Sequence, residues 1–169
     1  MTSFFEKSIS GTSLENYLNF DSLDNLENLG ADLKYFKDLS FKYSLENYGK
    51  SYNRFITLGE SSLFKSGKIK QRLVYKLDFS KIVEDSSFSF SINKEENNPL
   101  KHTWSKSVAY NENFFETGPL SRAIISNRKF IKEIHKTFED SVFTRVMSRM
   151  DELAFLLLET NNLISQVDV

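Results

Sequence analysis

The feature that most constrains the fold is a helical period that runs through the last third of the chain. Apolar residues recur there at spacings that bring them to one face of an α-helix. They are Ile131, Ile134, Phe138, Val142, Val146, Met150, Leu153, Leu157 and Ile164. The period predicts one long helix, or two abutting helices, from Phe130 to about Ser165. Upstream, Gly118-Pro119 predicts a helix start, because proline is tolerated in the first turn, and a single break is predicted at residues 127–129.

The middle of the chain, at about residues 52–92, has the composition of a small β-rich part. β-branched and aromatic residues flank Ser66-Gly67, which predicts a β-hairpin with its turn at these two residues. Phe88 and Phe90 alternate with serine, which is a weak strand signal. Two segments further on complete this region: a loop is predicted at Asn93–Pro99, and an extended segment at Trp104–Tyr110.

Shorter helical signals precede the β-rich part. Leucines between Leu14 and Leu29 fall near helical spacing, and Gly30 is placed like a C-cap, with Asp32 capping the next helix. The serine-rich start, Met1–Ser13, is predicted to fray or to dock loosely. Together these signals predict an α+β fold that is mainly helical, with a small β-hairpin or sheet insertion.

Charge and hydropathy argue against two classes of partner. The 22 basic and 23 acidic residues leave a formal net charge of -1, so no basic surplus exists to bind phosphate backbones, and nucleic acid is not expected. No apolar run approaches the ~20 residues that cross a bilayer, so no transmembrane segment is expected. Met1–Ser10 lacks the basic and apolar regions of a secretory signal. We therefore expect a cytoplasmic location.

The residue counts also limit the chemistry that this chain can carry out. Cysteine is absent, which excludes disulfides, thiolate catalysis and cysteine-ligated metal sites. The two histidines, His102 and His135, lack the i, i+4 spacing of a helical metal pair. We predict no catalytic residue, no metal ligand and no cofactor held by this chain itself. A site ligated by carboxylates alone stays open at this stage.

Four short stretches carry motifs, at residues 47–67, 75–90, 104–122 and 141–152. The third is the most specific, with W-S-K-S-V-A-Y from Trp104 and E-T-G-P-L-S-R from Glu116. The fourth spaces Arg145, Arg149 and Glu152 along one helix. In this order and with these gaps, the four stretches resemble the central part of nickel-iron hydrogenase large subunits, whose third pattern is W-x-K-x-P-R-Y followed by E-x-G-P-L-A-R.

The resemblance implies a domain over residues 31–169, with a β-rich part at about 52–92 and a long helix at about 130–165. Residues 1–30 form an N-terminal segment that it places poorly. It implies the family's helical bundle as the fold, and hydrogen oxidation or evolution as the activity of complete members. In the family, four cysteines in two motifs hold nickel and iron, and neither motif is present here, so no metal ligand carries over. Val108-Ala109 also departs from the family's Pro-Arg.

The motifs single out structural or interface residues rather than catalytic ones. They are Trp104, Glu116, Gly118, Pro119, Arg122, Arg145, Arg149 and Glu152. Glu116 is expected to complement the dipole of the helix after it, Gly118 to allow close backbone approach, and Arg122 to bind a buried carboxylate or loop carbonyl groups. Arg149 and Glu152 are expected to pair at i, i+3, and Trp104 to cover a core or a sheet edge. Roles in lining a cofactor or proton route, or in a partner interface, stay open.

Three hypotheses on function follow. The chain is a hydrogenase large-subunit-like protein, part of or derived from a hydrogen-oxidising or hydrogen-evolving oxidoreductase, and not catalytic alone. Alternatively, it is a cysteine-free accessory or scaffold protein that binds a hydrogenase subunit or a maturation factor. The third hypothesis is a globular remnant without a retained function. Whether the chain counts as an enzyme stays open, because the nickel-iron centre requires sequence that is not present here.

The long helix also predicts a surface for partners. The 169 residues leave out the elements that cover this segment in complete family members, so an exposed apolar patch is expected around Phe155, Leu156 and Leu158. We expect self-association, or capture of a hydrogenase subunit, through this patch. Any attachment to a membrane is expected to be peripheral, through a hydrogenase complex.

Overall fold

The computed structural model describes residues 1–59, 63–70, 73–90 and 103–167. Its helices are α1 (Thr2–Phe5), α2 (Leu14–Leu18), α3 (Ala31–Lys42), α4 (Pro119–Ile125), α5 (Lys129–Phe138) and α6 (Val142–Ser165). Its strands are β1 (Phe55–Leu58), β2 (Ser66–Lys70), β3 (Leu73–Tyr75), β4 (Ile82–Asp85), β5 (Ser107–Tyr110) and β6 (Asn113–Phe114). A π-helical turn occupies Glu6–Ser10, and 3-10 turns occupy Leu23–Asn28, Leu45–Asn47 and Phe79–Lys81. The prediction of a mainly helical α+β fold with small sheets is confirmed.

The predicted C-terminal helix is present as two abutting helices, α5 and α6. The predicted break before α5 falls at residues 126–128, where Asn127 has a φ of 63°. A second break follows α5, where Glu139 has a φ of 53°. The alternative of two abutting helices allowed for such a break, but its position was not predicted. Ser141 then begins a new helix, because its Oγ accepts a hydrogen bond from the N–H of Thr144. The apolar period continues through this turn, so it gave no sign of the second break.

The buried face of α6 is offset by about one residue from the predicted stripe. Phe143, Met147 and Ala154 are fully buried. Leu153, predicted to be buried, is 46% exposed, and Val146 is only half-buried. The reason is tertiary, since α2, α4 and α5 pack against α6 and their positions select which side of an apolar helix is covered.

The N-terminal segment packs into the core, so the prediction that Met1–Ser13 frays or docks loosely is wrong. Phe5 is 6% exposed and belongs to the main core. Gly30 is the N-cap residue of α3 rather than a C-cap, and Asp32 lies in the first turn of that helix. A Cβ on Gly30 would lie 2.5 Å from the carbonyl carbon of Ser8, so this close approach of two backbones requires glycine.

One large core joins the N-terminal helices to α4, α5 and α6. Phe130 packs edge-on against Tyr17 and Phe20, with ring centroids 6.0 and 5.5 Å away. Phe36 stacks on Phe143 at 6.1 Å, which brings α3 against α6. Aromatic packing thus contributes to the contact between the two ends of the chain.

Two antiparallel three-stranded sheets lie between the helical parts, sheet A in the order β1-β2-β3 and sheet B in the order β4-β5-β6. Sheet A corrects the predicted hairpin turn. Ser66 and Gly67 lie within β2, paired with Leu58 and Thr57 of β1, so the chain reverses before Ser66. Glycine is compatible with a strand as well as with a turn, and the sequence signal was ambiguous for that reason.

The strand β1 contributes to two cores. Because successive side chains of a strand point to opposite faces, Phe55 enters the main core while Ile56 enters a second, smaller cluster with Leu77 and Tyr110. This smaller cluster lies between sheets A and B and positions the hairpin of β5 and β6 over one face of sheet A.

The remaining local predictions have mixed outcomes. The predicted extended segment becomes a strand only from Ser107 onward. Around Phe88, the weak strand signal corresponds to an isolated bridge between Ser89 and Thr103. The predicted loop at Asn93–Pro99 lies outside the described residues.

Candidate functional site

The motif from Glu116 to Arg122 forms the turn that connects β6 to α4. Gly118 has a φ of 119° and a ψ of -166°, and Pro119 is the first residue of α4, so the predicted helix start is confirmed. A Cβ on Gly118 would meet nothing within 4 Å, so glycine is required for its φ and not for the expected close approach. Ser121 Oγ donates a 2.7 Å hydrogen bond to the carbonyl oxygen of Glu116, which fixes the turn on the helix.

The carboxylate of Glu116 is bound by α6. Arg145 Nε and Nη2 donate to its two oxygens at 2.8 and 2.7 Å. The same guanidinium donates to the carbonyl oxygen of Gly49 and lies 3.6 Å from the carboxylate of Asp140. The side chains of Glu116 and Arg145 are 19% and 22% exposed, so the pair is shielded from much of the solvent that weakens surface ion pairs.

Asp140 extends this cluster to the segment before β1. Its carboxylate accepts hydrogen bonds from the N–H of Ser51, at 2.9 Å, and from Ser51 Oγ. Burial raises the pKa of Asp140, but the hydrogen bonds from Ser51 and the charge of Arg145 outweigh it and leave the pKa below its usual value. The ionised form of Asp140 is therefore the form that the fold favours.

A second bidentate pair lies two turns further along α6. Arg122 Nε and Nη2 donate to the carboxylate of Glu152 at 2.7 and 2.8 Å, and the guanidinium lies 5.3 Å from the ring centroid of Phe64. The hydrogen bond to Glu152 raises the pKa of Arg122, although burial opposes this. Arg122 thus binds a carboxylate as expected, but its partner is Glu152, which the sequence had matched with Arg149.

Sequence reasoning missed a third pair, between Arg128 and Asp151. The two residues form hydrogen bonds of 2.9 and 3.0 Å, and Asp151 is 2% exposed. Burial raises the pKa of Asp151, while the bonds from Arg128 oppose the shift. Burial, together with the charge of Asp151, also raises the pKa of Tyr17. No local pattern signals this pair, because Asp151 interrupts an apolar face and its partner lies 23 residues away.

Two of the singled-out residues lie apart from this cluster. Trp104 is 73% exposed, so the expectation that it covers a core or a sheet edge is wrong. Arg149 is exposed, and its Nη1 donates to the carbonyl oxygen of Arg145 rather than to a carboxylate. Of the two histidines, His135 is half-buried on α5, and His102 lies outside the described residues.

The arrangement is suited to holding the fold rather than to transferring protons. The guanidinium group stays protonated at ordinary pH, and each of the three arginines occupies both oxygens of its carboxylate. A cavity of about 240 Å³ opens beside Arg122 and Arg128, with Phe64 and Phe155 in its wall. Among the described residues, no group of three histidine or carboxylate side chains is placed to hold a metal ion.

The sequence matches no protein-family model, and the search of curated proteins finds none that is similar. In the part of the chain that the structure describes, no helix combines the length and the apolar character needed to cross a membrane.

Proposed function

We propose that the chain is a non-catalytic part of, or a derivative of, a nickel-iron hydrogenase large subunit. In this proposal it packs around a metal site whose ligands belong to another polypeptide segment. One observation carries this proposal. The third and fourth of the four motif stretches that carry the resemblance bind each other in the fold. Glu116 and Arg122 of the third stretch pair with Arg145 and Glu152 of the fourth, through two bidentate ion pairs.

The proposal assigns the redox chemistry to another polypeptide segment. Soft thiolate ligands select nickel and low-valent iron, and this chain has no cysteine. In this proposal the chain holds no cofactor by itself, and turnover requires a segment that carries the cysteine motifs. A cytoplasmic location, peripheral to a membrane only through the complex, belongs to the same proposal.

Purification of the tagged chain from its native host tests this function. We expect it to co-purify with a polypeptide that carries an Arg-x-Cys-Gly-x-Cys or Asp-Pro-Cys-x-x-Cys motif, identified by mass spectrometry. Elemental analysis after gel filtration should find nickel in the complex and none in the isolated chain. Hydrogen-dependent dye reduction should be found only in the fractions that contain nickel. Near-stoichiometric nickel in the isolated chain after a mild chelator, or a complex without either motif, would contradict the proposal.

A second function, an accessory or scaffold protein that binds a hydrogenase subunit or maturation factor, is favoured by the end of α6. Leu163, Ile164 and the following Val167 are 59%, 66% and 66% exposed. These three apolar side chains lie within five residues of each other, and exposed apolar patches are typical of interaction surfaces. The content of the complex separates the two functions, because an accessory protein would capture a hydrogenase subunit in which both cysteine motifs already flank a central segment.

The exposed apolar surface differs in position from the predicted one. Phe155, Leu156 and Leu158 are half-buried, and Phe155 packs edge-on against Phe64 with ring centroids 5.8 Å apart. Self-association or subunit capture through α6 is therefore proposed for its C-terminal end instead.

Analytical ultracentrifugation of the chain alone, repeated with Ile164→Lys, tests the association. The matched control is Asn162→Lys, which adds the same charge at an exposed polar position of α6. Dissociation caused by Ile164→Lys alone would support this surface. A monodisperse monomer would contradict self-association and leave subunit capture to be decided by the purification described above.

A further inference from the structure

A small hollow, separate from the ion-pair cluster, lies between sheet A and the hairpin of β5 and β6. Its volume is about 250 Å³, and its walls are two basic, three aromatic and two amide side chains. This combination differs from an ordinary surface depression, because both cationic groups and flat apolar surfaces face the same small space.

The two basic residues, Arg54 and Lys68, share one face of sheet A because of the strand register. Ile56 lies opposite Lys68 in the pairing of β1 with β2. Arg54 precedes Ile56 by two residues, so the extended chain directs both side chains to the same face. Both basic residues are partly buried, which reduces the screening of their charges by solvent.

Neither basic side chain has a carboxylate partner among the described residues, and no carboxylate lines the hollow. Lys68 Nζ instead lies 4.1 Å from the ring centroid of Tyr110 and 5.9 Å from that of Tyr75. The guanidinium of Arg54 lies 5.6 Å from the ring centroid of Tyr52. Cation–π contacts of this kind leave the N–H donors free for an anion. In the bidentate pairs of α6, by contrast, each guanidinium already donates two hydrogen bonds to a carboxylate.

Further hydrogen-bonding side chains line the hollow. Asn113 Nδ2 donates to the carbonyl oxygen of Asn111, whereas no bond within the described part engages the side-chain amide of Asn111 or the hydroxyl of Tyr110. The acidic residue of this hairpin, Glu112, is exposed at the turn and is not part of the wall. Two cations and spare donors favour anionic oxygen atoms, and the aromatic rings favour a flat body.

We propose that this hollow binds a small oxyanion, a carboxylate or a phosphate ester, carried on a flat unsaturated body. The anionic oxygens lie between Arg54 and Lys68, and the body packs against the ring of Tyr75, which is 44% exposed. The volume of about 250 Å³ is just below the ~300–1,000 Å³ of pockets for drug-sized ligands, so a ligand with a single ring fits it. This inference is independent of the proposed hydrogenase role.

Calorimetric titration at low salt tests the ligand class with four probes. Benzoate and phenyl phosphate should bind. Benzamide, which has the shape of benzoate without its charge, should bind at least about tenfold more weakly, because a charge-assisted bond is lost. Inorganic phosphate should bind more weakly than phenyl phosphate. Equal binding of benzamide and benzoate would contradict anion recognition, and equal binding of the two phosphates would contradict a role for the rings.

Variants of the two basic residues test the place of binding. Lys68→Gln and Arg54→Gln should each weaken benzoate binding by at least about tenfold, whereas Lys68→Arg, which keeps the charge, should retain it. The matched control is Lys42→Gln, which removes a lysine that lies 5.5 Å from the ring of Tyr43, outside the hollow. Amide NMR spectra check that each variant is folded. No binding by the wild type, or the same loss in the Lys42→Gln control, would overturn the proposal.

Discussion

At the scale of single residues, Arg145 holds the motif turn against α6. It binds both oxygens of Glu116 and the carbonyl oxygen of Gly49, and Asp140 lies 3.6 Å away. Removal of one partner of a shielded ion pair leaves the other charge unpaired, and this costs more than the intact pair contributes.

Replacement of this arginine should therefore be strongly destabilising. We expect Arg145→Gln to lower the free energy of unfolding by about 2–4 kcal/mol, measured by urea denaturation. Arg149→Gln is the matched control on the same helix, and its exposed side chain predicts a change within about 0.5 kcal/mol. Similar losses in the two variants would show that the contacts of Arg145 contribute little.

Asp140 should make stability depend on pH. Because its pKa in the folded state is below its usual value, its contribution is fully present above the unfolded pKa and is lost as pH falls through the folded pKa. We expect Asp140→Asn to be less stable than the wild type at neutral pH, with the difference shrinking as pH falls below the usual aspartate range. Urea denaturation at a series of pH values measures this.

Asp151 affects the dependence of stability on pH in the opposite direction. Burial raises its pKa, so its ionisation opposes folding, and its effect reduces stability as pH rises from the unfolded to the folded pKa. The difference between Asp140→Asn and the wild type, rather than the wild-type curve alone, isolates Asp140. A difference that does not change with pH would contradict the assigned role.

At the scale of elements, α6 is stabilised by the face that other helices cover. We expect Met147→Ala to cost about 2–5 kcal/mol, because it creates a cavity in the core. Leu153→Ala, on the 46% exposed face, should cost less than about 1 kcal/mol. Thermal or urea unfolding of both variants compares the two faces. A larger loss of stability for Leu153→Ala than for Met147→Ala would support the buried face that the sequence predicted.

At the start of α4, a substitution of Gly118 should cause backbone strain without a steric clash. Gly118 has a φ of 119°, where side chains are strained, so Gly118→Ala should cost about 1–3 kcal/mol although its Cβ meets no neighbour. Pro119→Ala, at the first helical position, should cost less than about 1 kcal/mol, because any residue adopts that conformation. Equal effects, measured by urea denaturation, would argue against strain at the glycine.

At the scale of the whole molecule, stability should follow the two cores of unequal size. Sheet B contributes to the small cluster of Ile56, Leu77 and Tyr110, whereas α5 and α6 line the main core. Because local opening is easier where less apolar surface is buried, amides of sheet B should exchange with deuterium at least about tenfold faster than those around Met147. The matched reference is Phe55 in β1, which should be protected like α6. Uniform protection would indicate one cooperative unit.

Much of the fold was predictable wherever the signal was local. A 3.6-residue period specifies a helix without reference to the rest of the chain, and Gly118-Pro119 marks a helix start by its own backbone preferences. The turn at Ser66-Gly67 was misplaced because glycine suits strands and turns alike. The offset face of α6 and the buried Asp151 followed no local signal, since burial depends on what packs against each residue.

The absence of cysteine, the balanced charge and the helical character of the C-terminal third all follow from residue identities and their spacing along the chain. The tertiary structure alone decided that Arg145 binds Glu116, that Glu152 binds Arg122 rather than Arg149, and that Arg54 and Lys68 face one hollow. The physical reason is distance. Neighbours in sequence stay close to each other in every conformation of the chain, whereas residues about 30 positions apart, such as Arg122 and Glu152, meet only after the core has fixed the relative positions of the helices.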